Sequence, residues 1–331
     1  MKSSYTSAGV NISNGETFVK QIKPLVKSTF SKGVLTGIGN FGAFYQFSNY
    51  KHNPVFVAST DSVGTKVKIA IECGKYDTVG EDIVNHCTND IAVCGANPLF
   101  FLDYLAFGKL RSRIAIDIVK GLVRGCKKNN CSLIGGETAE MPGLYAEKDF
   151  DLAGTIVGVV EKAKIIDKKN VKSTDVLIGF PSSGLHTNGY SLARKVLLKK
   201  FKLSQYVSSL RTTLGDELLK VHRSYLRLIQ NLIKRFEINS FSHITGGGVI
   251  GNTKRVVPEN LKIKINWDSW RWNPIFKLIK EEGKISDTEM RNVFNLGIGL
   301  IAIVKKNETS RISAYLDRIK EKHHIIGEIT K

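Results

Sequence analysis

Thr60-Asp61-Ser62-Val63-Gly64-Thr65-Lys66 follows a strand-like run and gathers a carboxylate, hydroxyls, a glycine and a lysine in one short segment. Gly64 lets the backbone curl so that successive N–H groups face a phosphate. Asp61 at the strand end can hold magnesium, and Lys66 or the amides would meet phosphate oxygens. The upstream glycine of a Walker loop is missing, and on these residues alone a solvated turn is an equal reading. Downstream, Asp82, His86, Asn89 and Asp90 recur at three- and four-residue spacing, which puts them on one helical face. Most such stripes are solvated, but this one ends beside Ile91, Val93 and Cys94, which would hold Asp90 near the interior. A second carboxylate within reach of Asp61 makes a magnesium–nucleotide site, because magnesium takes few carboxylates and keeps its other positions for water and phosphates.

Three further strings have the composition of ligand loops. In residues 132–143 a short apolar strand runs into Gly135-Gly136, followed by Glu137 and Glu140. Glycines allow close backbone approach, and the glutamates offer metal or hydroxyl contacts. Pro181-Ser182-Ser183-Gly184-Leu185-His186-Thr187-Asn188-Gly189 joins a strand to a helix N-terminus, an arrangement that binds phosphate through N–H groups and the helix dipole. His186 could bond to substrate or move a proton, although a lone loop histidine is more often structural. His243-Ile244-Thr245-Gly246-Gly247-Gly248 repeats the theme, and two such anion sites suggest two phosphorylated ligands. The string Gly37-Ile38-Gly39-Asn40-Phe41-Gly42 matches the dinucleotide fingerprint by letter but neither leaves a buried strand nor opens a helix, so it is read as a glycine loop or a tight turn.

These segments need scaffolding, and the pattern supplies it twice. Strands are expected over 42–47, 54–59, 99–106, 131–134 and 152–160, with helices over 77–94 and 114–128. A polar, lysine-rich stretch at 161–174 marks a boundary, which divides the chain into domains 1–168 and 169–331. The second half restarts with a strand over 176–180 and a helix over 189–200. One long amphipathic helix is expected over 216–236, with Leu218, Leu219, Tyr225, Leu226, Ile229, Leu232 and Ile233 as core. A helix over 274–282, a strand over 293–304 and a terminal helix and strand complete it. The class is α/β with α+β character, in two mixed domains.

A chain of 331 residues exceeds what one core usually supports, and 42% hydrophobic residues suffice for two. No apolar run is long enough to span a membrane and residues 1–18 lack a signal-peptide core, so a cytoplasmic location is expected. Five cysteines without a C-x-x-C pair argue against a disulfide framework or a zinc site. The formal charge of +19 raises nucleic-acid binding as an alternative. The lysines are dispersed in short pairs, however, with no basic tail or groove-reading helix, so neither nucleic acid nor membrane is an expected partner.

Together these strings resemble the aminoimidazole ribonucleotide synthetase (phosphoribosylformylglycinamidine cyclo-ligase) family over nearly the whole chain. The ordered set begins at Tyr5-Thr6-Ser7-Ala8-Gly9-Val10 and Phe41-Gly42-Ala43. It passes through residues 60–66, Asn89-Asp90, 98–104, Gly108-Lys109-Leu110 and 135–143, and ends with residues 182–192, 245–248, Trp270, Phe294-Asn295, Gly297 and Gly299. The resemblance implies ATP-dependent closure of formylglycinamidine ribonucleotide to aminoimidazole ribonucleotide, with magnesium, in a homodimer that pairs its N-terminal sheets. It implies an ATP-binding domain over 1–168 and a domain with phosphate loops over 169–331. Asp61, Asp90 and His186 would be catalytic, and Asp61, Asp90 and Glu137 would hold metal. Nucleotide or phosphate contacts would come from Gly42, Thr60, Gly64, Thr65, Lys66, Gly135, Gly136 and Glu137, and in the second half from Ser183, Gly184, Asn188, Thr245, Gly246 and Gly247. Related ATP-dependent enzymes of the formylglycinamidine synthetase, thiamine phosphate kinase and selenophosphate synthetase types are the alternative. The sequence departs from the family pattern at Asn11, Asn40, Ser62 and Val221-His222, where Asp, Gly, Gly and a Pro-Thr pair are usual.

Overall fold

In a computed structural model that describes residues 12–36, 43–47 and 53–331, the alternating run after Asn53 becomes strand β1, Pro54–Ser62. Gly42, Asn40 and Asn11 lie outside the described residues. The chain divides into two units: the described residues up to Ile91 with Asn97–Lys162, and Ala92–Ala96 with Ala163–Lys331.

In the first unit a helix α1 (Ile12–Lys27) precedes β1. Then come α2 (Lys66–Cys73), α3 (Asp77–Ala92), β2 (Asn97–Phe107), α4 (Ser112–Lys128), β3 (Ser132–Glu140) and β4 (Phe150–Glu161). The sheet order is β1-β4-β2-β3, with β2 and β3 parallel and the other pairs antiparallel. The parallel pair requires a crossover, and α4 provides it. Of the strand expected over 42–47, only a single bridge from Val34 to Tyr45 forms among the described residues.

The position of α3 depends on absent side chains. A Cβ on Gly80 of α3 would stand 2.1 Å from the Ile118 carbonyl oxygen of α4, and one on Gly121 of α4 would stand 1.9 Å from the Asp77 carbonyl oxygen. On the sheet, a Cβ at Gly154 would strike the Phe101 ring, with Ile83 of α3 also within contact, and one at Gly158 would lie 2.5 Å from Ile91 Cδ1. The helix is thereby sunk against β4, and its polar stripe is interior along its length, not only near Asp90 as expected: Asp82, Asn85, His86, Thr88 and Asn89 are all buried.

Burying Asp82 demands a counter-charge, and Lys66 supplies it at 2.7 Å with both side chains fully inaccessible. Burial pulls the Lys66 pKa below the ordinary lysine value, against the opposing pull of Asp82. Lys66, expected to meet phosphate from its turn, instead points its ammonium into the core, where it pins the start of α2 to α3.

The second unit contains β5 (Val176–Pro181), α5 (Tyr190–Leu197), a small ribbon of β6 (Tyr206–Val207) and β7 (Thr212–Thr213), α6 (Leu214–Leu218) and α7 (Leu226–Arg235). There follow β8 (Ser240–His243), α8 (Gly248–Thr253), β9 (Lys262–Ile265), α9 (Pro274–Gly283), α10 (Asp287–Val293), β10 (Ile298–Val304), α11 (Thr309–Arg318) and β11 (His324–Thr330). The sheet runs β8-β10-β5-β11-β9. One apolar cluster on it includes Ile178, Phe180, Tyr225, Ile229, Leu232 and Leu316, and another Leu177, Val249, Trp270, Ile301 and Ile326.

The long helix expected over 216–236 is broken at 219–225. That segment is tied to the end of β5 instead: the Val221 carbonyl accepts the Ser183 hydroxyl at 2.6 Å, and Tyr225 Oη and Arg223 Nη1 both donate to the Pro181 carbonyl. These tertiary bonds compensate for the lost helical turn, and the apolar spacing survives because α6 and α7 each still bury their periodic residues. Likewise the strand expected from 293 begins only at Ile298, after a loop in which Leu296 and Gly297 both take positive φ.

The Lys66–Asp82 pair yields a stability prediction. Lys66→Met, which strands a buried carboxylate, is expected to lower the unfolding free energy by about 3–5 kcal/mol, and adding Asp82→Leu to recover most of the loss. Urea titration of both variants checks this, and wild-type stability in the single variant would contradict it.

Candidate functional site

The first unit brings both expected aspartates to one histidine. His86 Nε2 lies 2.9 Å from Asp61 Oδ2 and 3.8 Å from Asp90 Oδ2, and Ser59 Oγ donates to Asp90 Oδ2 at 3.0 Å. Asp61 sits at the end of β1 opposite Gly154, whose missing side chain leaves room for α3 to carry His86 onto the carboxylate. Ser59 and Asp61 share one face of β1, as a strand's period of two requires, and His86 and Asp90 are one helical turn apart.

The electrostatics favour positive charge at this point. Burial pushes the Asp61 carboxyl up, but the hydrogen bond and charge of His86 and the Ser62 amide outweigh it, leaving the group below the ordinary aspartate value. Burial alone would lower His86; its bond to Asp61 and the charges of Asp90, Asp61 and Asp82 reverse this and raise it. The Asp61 and Asp90 side chains remain 41% and 28% exposed, so solvent reaches both carboxylates while the imidazole is enclosed.

Glu137 is not part of this group. The strand β3 expected to stop at Ile134 continues through Gly135 and Gly136 to Glu140. In register, Asp61 lies level with Gly154, Asp103 and Gly136, so Glu137 falls on the other face of the sheet, and β3 is three strands from β1. At ~4.8 Å per strand that is roughly 14 Å, too far to share an ion with Asp61. Gly136 is explained by its neighbour strand, since a Cβ there would meet the Asp103 carbonyl and carboxylate oxygens at 2.4 Å. Glu140 accepts the Leu110 amide at 2.8 Å. Thr60 faces away from Asp61, its hydroxyl 2.7 Å from that of Thr155, and Gly64 takes the positive φ the turn requires.

The second unit places two glycine loops side by side. β5 and β8 both pair antiparallel with β10, so they run in the same direction and their C-terminal loops emerge at one edge of the sheet. Residues 182–189 lead to α5 through Gly189, and residues 244–247 lead to α8 through Gly247, both glycines at positive φ. A Cβ on Gly246 would stand 3.2 Å from Asn188 Oδ1, which shows how closely the loops abut.

Side-chain amides brace each loop from below. Asn295 donates to the Gly184 carbonyl at 2.9 Å and accepts the Ser182 hydroxyl and the Gly297 amide. Asn252 accepts the Thr245 hydroxyl and donates to the carbonyls of Thr245, Gly246 and Gly248. The backbone N–H groups of Gly246 and Gly247 belong to exposed residues and meet no protein acceptor among the described residues, the condition an anion site needs.

His186 lies inside its loop, not on its surface. It is 1% exposed, takes φ +63°, accepts the Ser183 amide at Nε2 and stacks on His222. A histidine whose Nε2 accepts an amide is protonated at Nδ1 when neutral, so the ring shapes the loop. Sequence reasoning passed over His86 as a link between the aspartates, although its place four residues before Asp90 was the available signal. It missed Asn252 and Gly154 and gave Asn295 no role, since what these residues do depends on contacts distant in the chain.

Known proteins resemble this chain in sequence and in fold. Residues 42–160 match the AIR synthase related protein, N-terminal domain, and residues 172–331 the corresponding C-terminal domain. A phosphoribosylformylglycinamidine cyclo-ligase of Thermoanaerobacter pseudethanolicus is 49% identical over 99% of this chain and 97% of its own length. One of Alkaliphilus oremlandii is 47% identical over 100% and 98%. Among solved structures, a thiamine-monophosphate kinase from Stenotrophomonas maltophilia superposes with TM-score 0.69 at 15% identity, covering 94% of this chain and 93% of that one. The hydrogenase maturation protein HypE in complex with ATP gives 0.61 at 15% identity, covering 95% and 86%. Those structures share the fold, whereas the full-length sequence likeness and both domain matches establish that this chain belongs to the AIR synthase related protein family.

Proposed function

We propose that this chain closes the imidazole ring of formylglycinamidine ribonucleotide, using ATP, to give aminoimidazole ribonucleotide, ADP and phosphate in purine biosynthesis. The observation that carries this reading is near-half identity over almost the entire length to relatives bearing the cyclo-ligase name. Kinase-type chemistry is disfavoured, since the kinase and HypE likenesses are structural only.

The reaction needs an activated oxygen, because a neutral amide oxygen is a poor leaving group. ATP would phosphorylate the formyl oxygen, and attack by the amidine nitrogen would then expel it as phosphate. Asp61 and Asp90 suit magnesium: their oxygens converge where the imidazole proton of His86 already stands, and a proton held there against burial marks a position that favours a cation. Magnesium bound there would neutralise charge on the nucleotide phosphates. Gly64 and Thr65 in the adjoining turn are assigned to the nucleotide, as are Thr60 on β1 and Gly135, Gly136 and Glu137 on β3. Ser183, Gly184, Asn188, Thr245, Gly246 and Gly247 are assigned to the second phosphorylated ligand, with His186 shaping their loop.

The outer face of the first unit's sheet supports a homodimer. Phe56, Ala58, Val157, Phe100, Leu102 and Tyr104 occupy this one face by register, with Phe56 60% exposed. A two-layer unit normally turns polar residues outward here, so an apolar row of this kind needs a cover. A second copy of the chain is the proposed one. Among the described residues no helix is long and apolar enough to cross a membrane. Sedimentation of the full chain at micromolar concentration is expected to show a dimer; a monomer alone would contradict this.

Two measurements test the chemistry. Asp61→Asn and Asp90→Asn should each lower turnover at least about 100-fold, the scale of losing one electrostatic contact to transition-state charge, with circular dichroism unchanged. Near-wild-type turnover in both would remove the metal assignment. In a single turnover with heavy-isotope-labelled formyl oxygen, the label should appear in inorganic phosphate. Unlabelled phosphate would mean that ATP is hydrolysed by water and the oxygen is not activated directly.

A further inference from the structure

Three imidazoles from separate segments are buried together in the second unit: His186 in the loop after β5, His222 between α6 and α7, and His243 at the end of β8. The His222 ring stacks on His186 with centroids 3.9 Å apart and planes 22° apart. Its Nε2 lies 3.0 Å from His243 Nε2, and its Nδ1 lies 3.3 Å from Thr187 Oγ1. His222 therefore touches both glycine loops at once, one through His186 and Thr187 and the other through His243.

The polar contacts form a chain through this ring. Two imidazole nitrogens 3.0 Å apart need one proton between them, so one donates and the other accepts. Asn188 Nδ2 donates to Thr187 Oγ1 at 3.4 Å, and the same hydroxyl is hydrogen-bonded to His222 Nδ1. The chain of bonds starts at Asn188, which abuts Gly246, and ends at His243, two residues before Thr245.

A space-filling role would not need this apparatus, since an apolar side chain in the same cavity avoids the desolvation of a buried imidazole. The chain also gives up helix at 219–225 to deliver His222, and stitches that segment to β5 through Val221, Arg223 and Tyr225.

We propose that His222 is a positioning residue that couples the two glycine loops, so that they close on one phosphomonoester ligand as a unit. This rests on the reading that those loops hold the phosphorylated substrate. Without His222 the loops are expected to keep their braces from Asn252 and Asn295 but to lose their mutual register, which weakens ligand binding and leaves the reacting groups intact.

The test is kinetic and uses the full chain. His222→Phe keeps a planar ring for the stack and removes both nitrogen contacts; His222→Gln restores a polar group toward His243. In the phenylalanine variant the KM for formylglycinamidine ribonucleotide is expected to rise about tenfold, with kcat within about twofold and the KM for ATP unchanged, the size of effect that a lost buried hydrogen bond produces. The glutamine variant should recover most of the loss. An unchanged KM, a fall confined to kcat, or a glutamine variant no better than phenylalanine overturns the proposal. If His222→Phe does not fold, His222→Gln compared with His222→Asn, which keeps only the contact toward Thr187, carries the same comparison. Calorimetric titration with inorganic phosphate separates this from the activity itself. If wild type does not turn over the ribonucleotide but its phosphate binding weakens on His222→Phe, the loop coupling stands and the proposed reaction falls. Wild type that binds neither ligand overturns both.

Discussion

Helix α3 is sunk between α4 and β4, and the first candidate centre depends on that depth. The approach is sterically open only because Gly80, Gly121, Gly154 and Gly158 lack side chains; a Cβ at any of them would stand within about 2.6 Å of a neighbouring atom. It is electrostatically tolerable only because Lys66 meets Asp82 in the interior. A buried ion pair is a poor source of net stability, so its value here lies elsewhere. It ties the turn that carries Asp61 to the helix that carries His86 and Asp90, and so sets three functional side chains from two elements in one frame.

The second unit solves a similar problem without buried ion pairs at its loops. Glycine loops lose backbone freedom on folding, and their carbonyls need partners when the loop is to present its amides outward. Asn295 and Asn252 meet this need because a carboxamide both donates and accepts, so one side chain can bind a hydroxyl and several carbonyls of one loop. The amides of Gly246 and Gly247 are left facing outward as a result. Gly299 shows how tight the packing beneath is, since a Cβ there would lie 2.1 Å from Tyr225 Oη and 2.7 Å from His186 Cε1.

Much of this was legible in the sequence where the signal is local. Periodicity located β1, α3, β2, α4, β4, β5 and α9 to within a few residues, and the polar spacing put His86 and Asp90 on one face. Misreadings arose wherever a distant contact decided the outcome. Gly135-Gly136 reads as a loop by composition yet is strand, because β2 offers a ladder and Asp103 occupies the space of the missing side chain. The apolar spacing over 216–236 is helical throughout, but bonds to Pro181 and Ser183 win over helix at 219–225. The polar stripe of α3 reads as near the interior only at its Asp90 end, because nothing local reveals that Lys66 is available to neutralise Asp82.

The inward commitment of Lys66 also constrains the chemistry. A turn that approaches a polyphosphate must offset its negative charge, and a lysine at the head of a helix is the simplest means. Here that ammonium is fully buried against Asp82 and cannot reach an external anion without stranding the carboxylate. Backbone amides and a bound cation are other means. Asp61 and Asp90, partly exposed and already arranged around the His86 imidazole, are placed for the second. Under the proposed function, the lysine is consumed in building the site, and a metal held by the two carboxylates would supply the neutralising charge in its place.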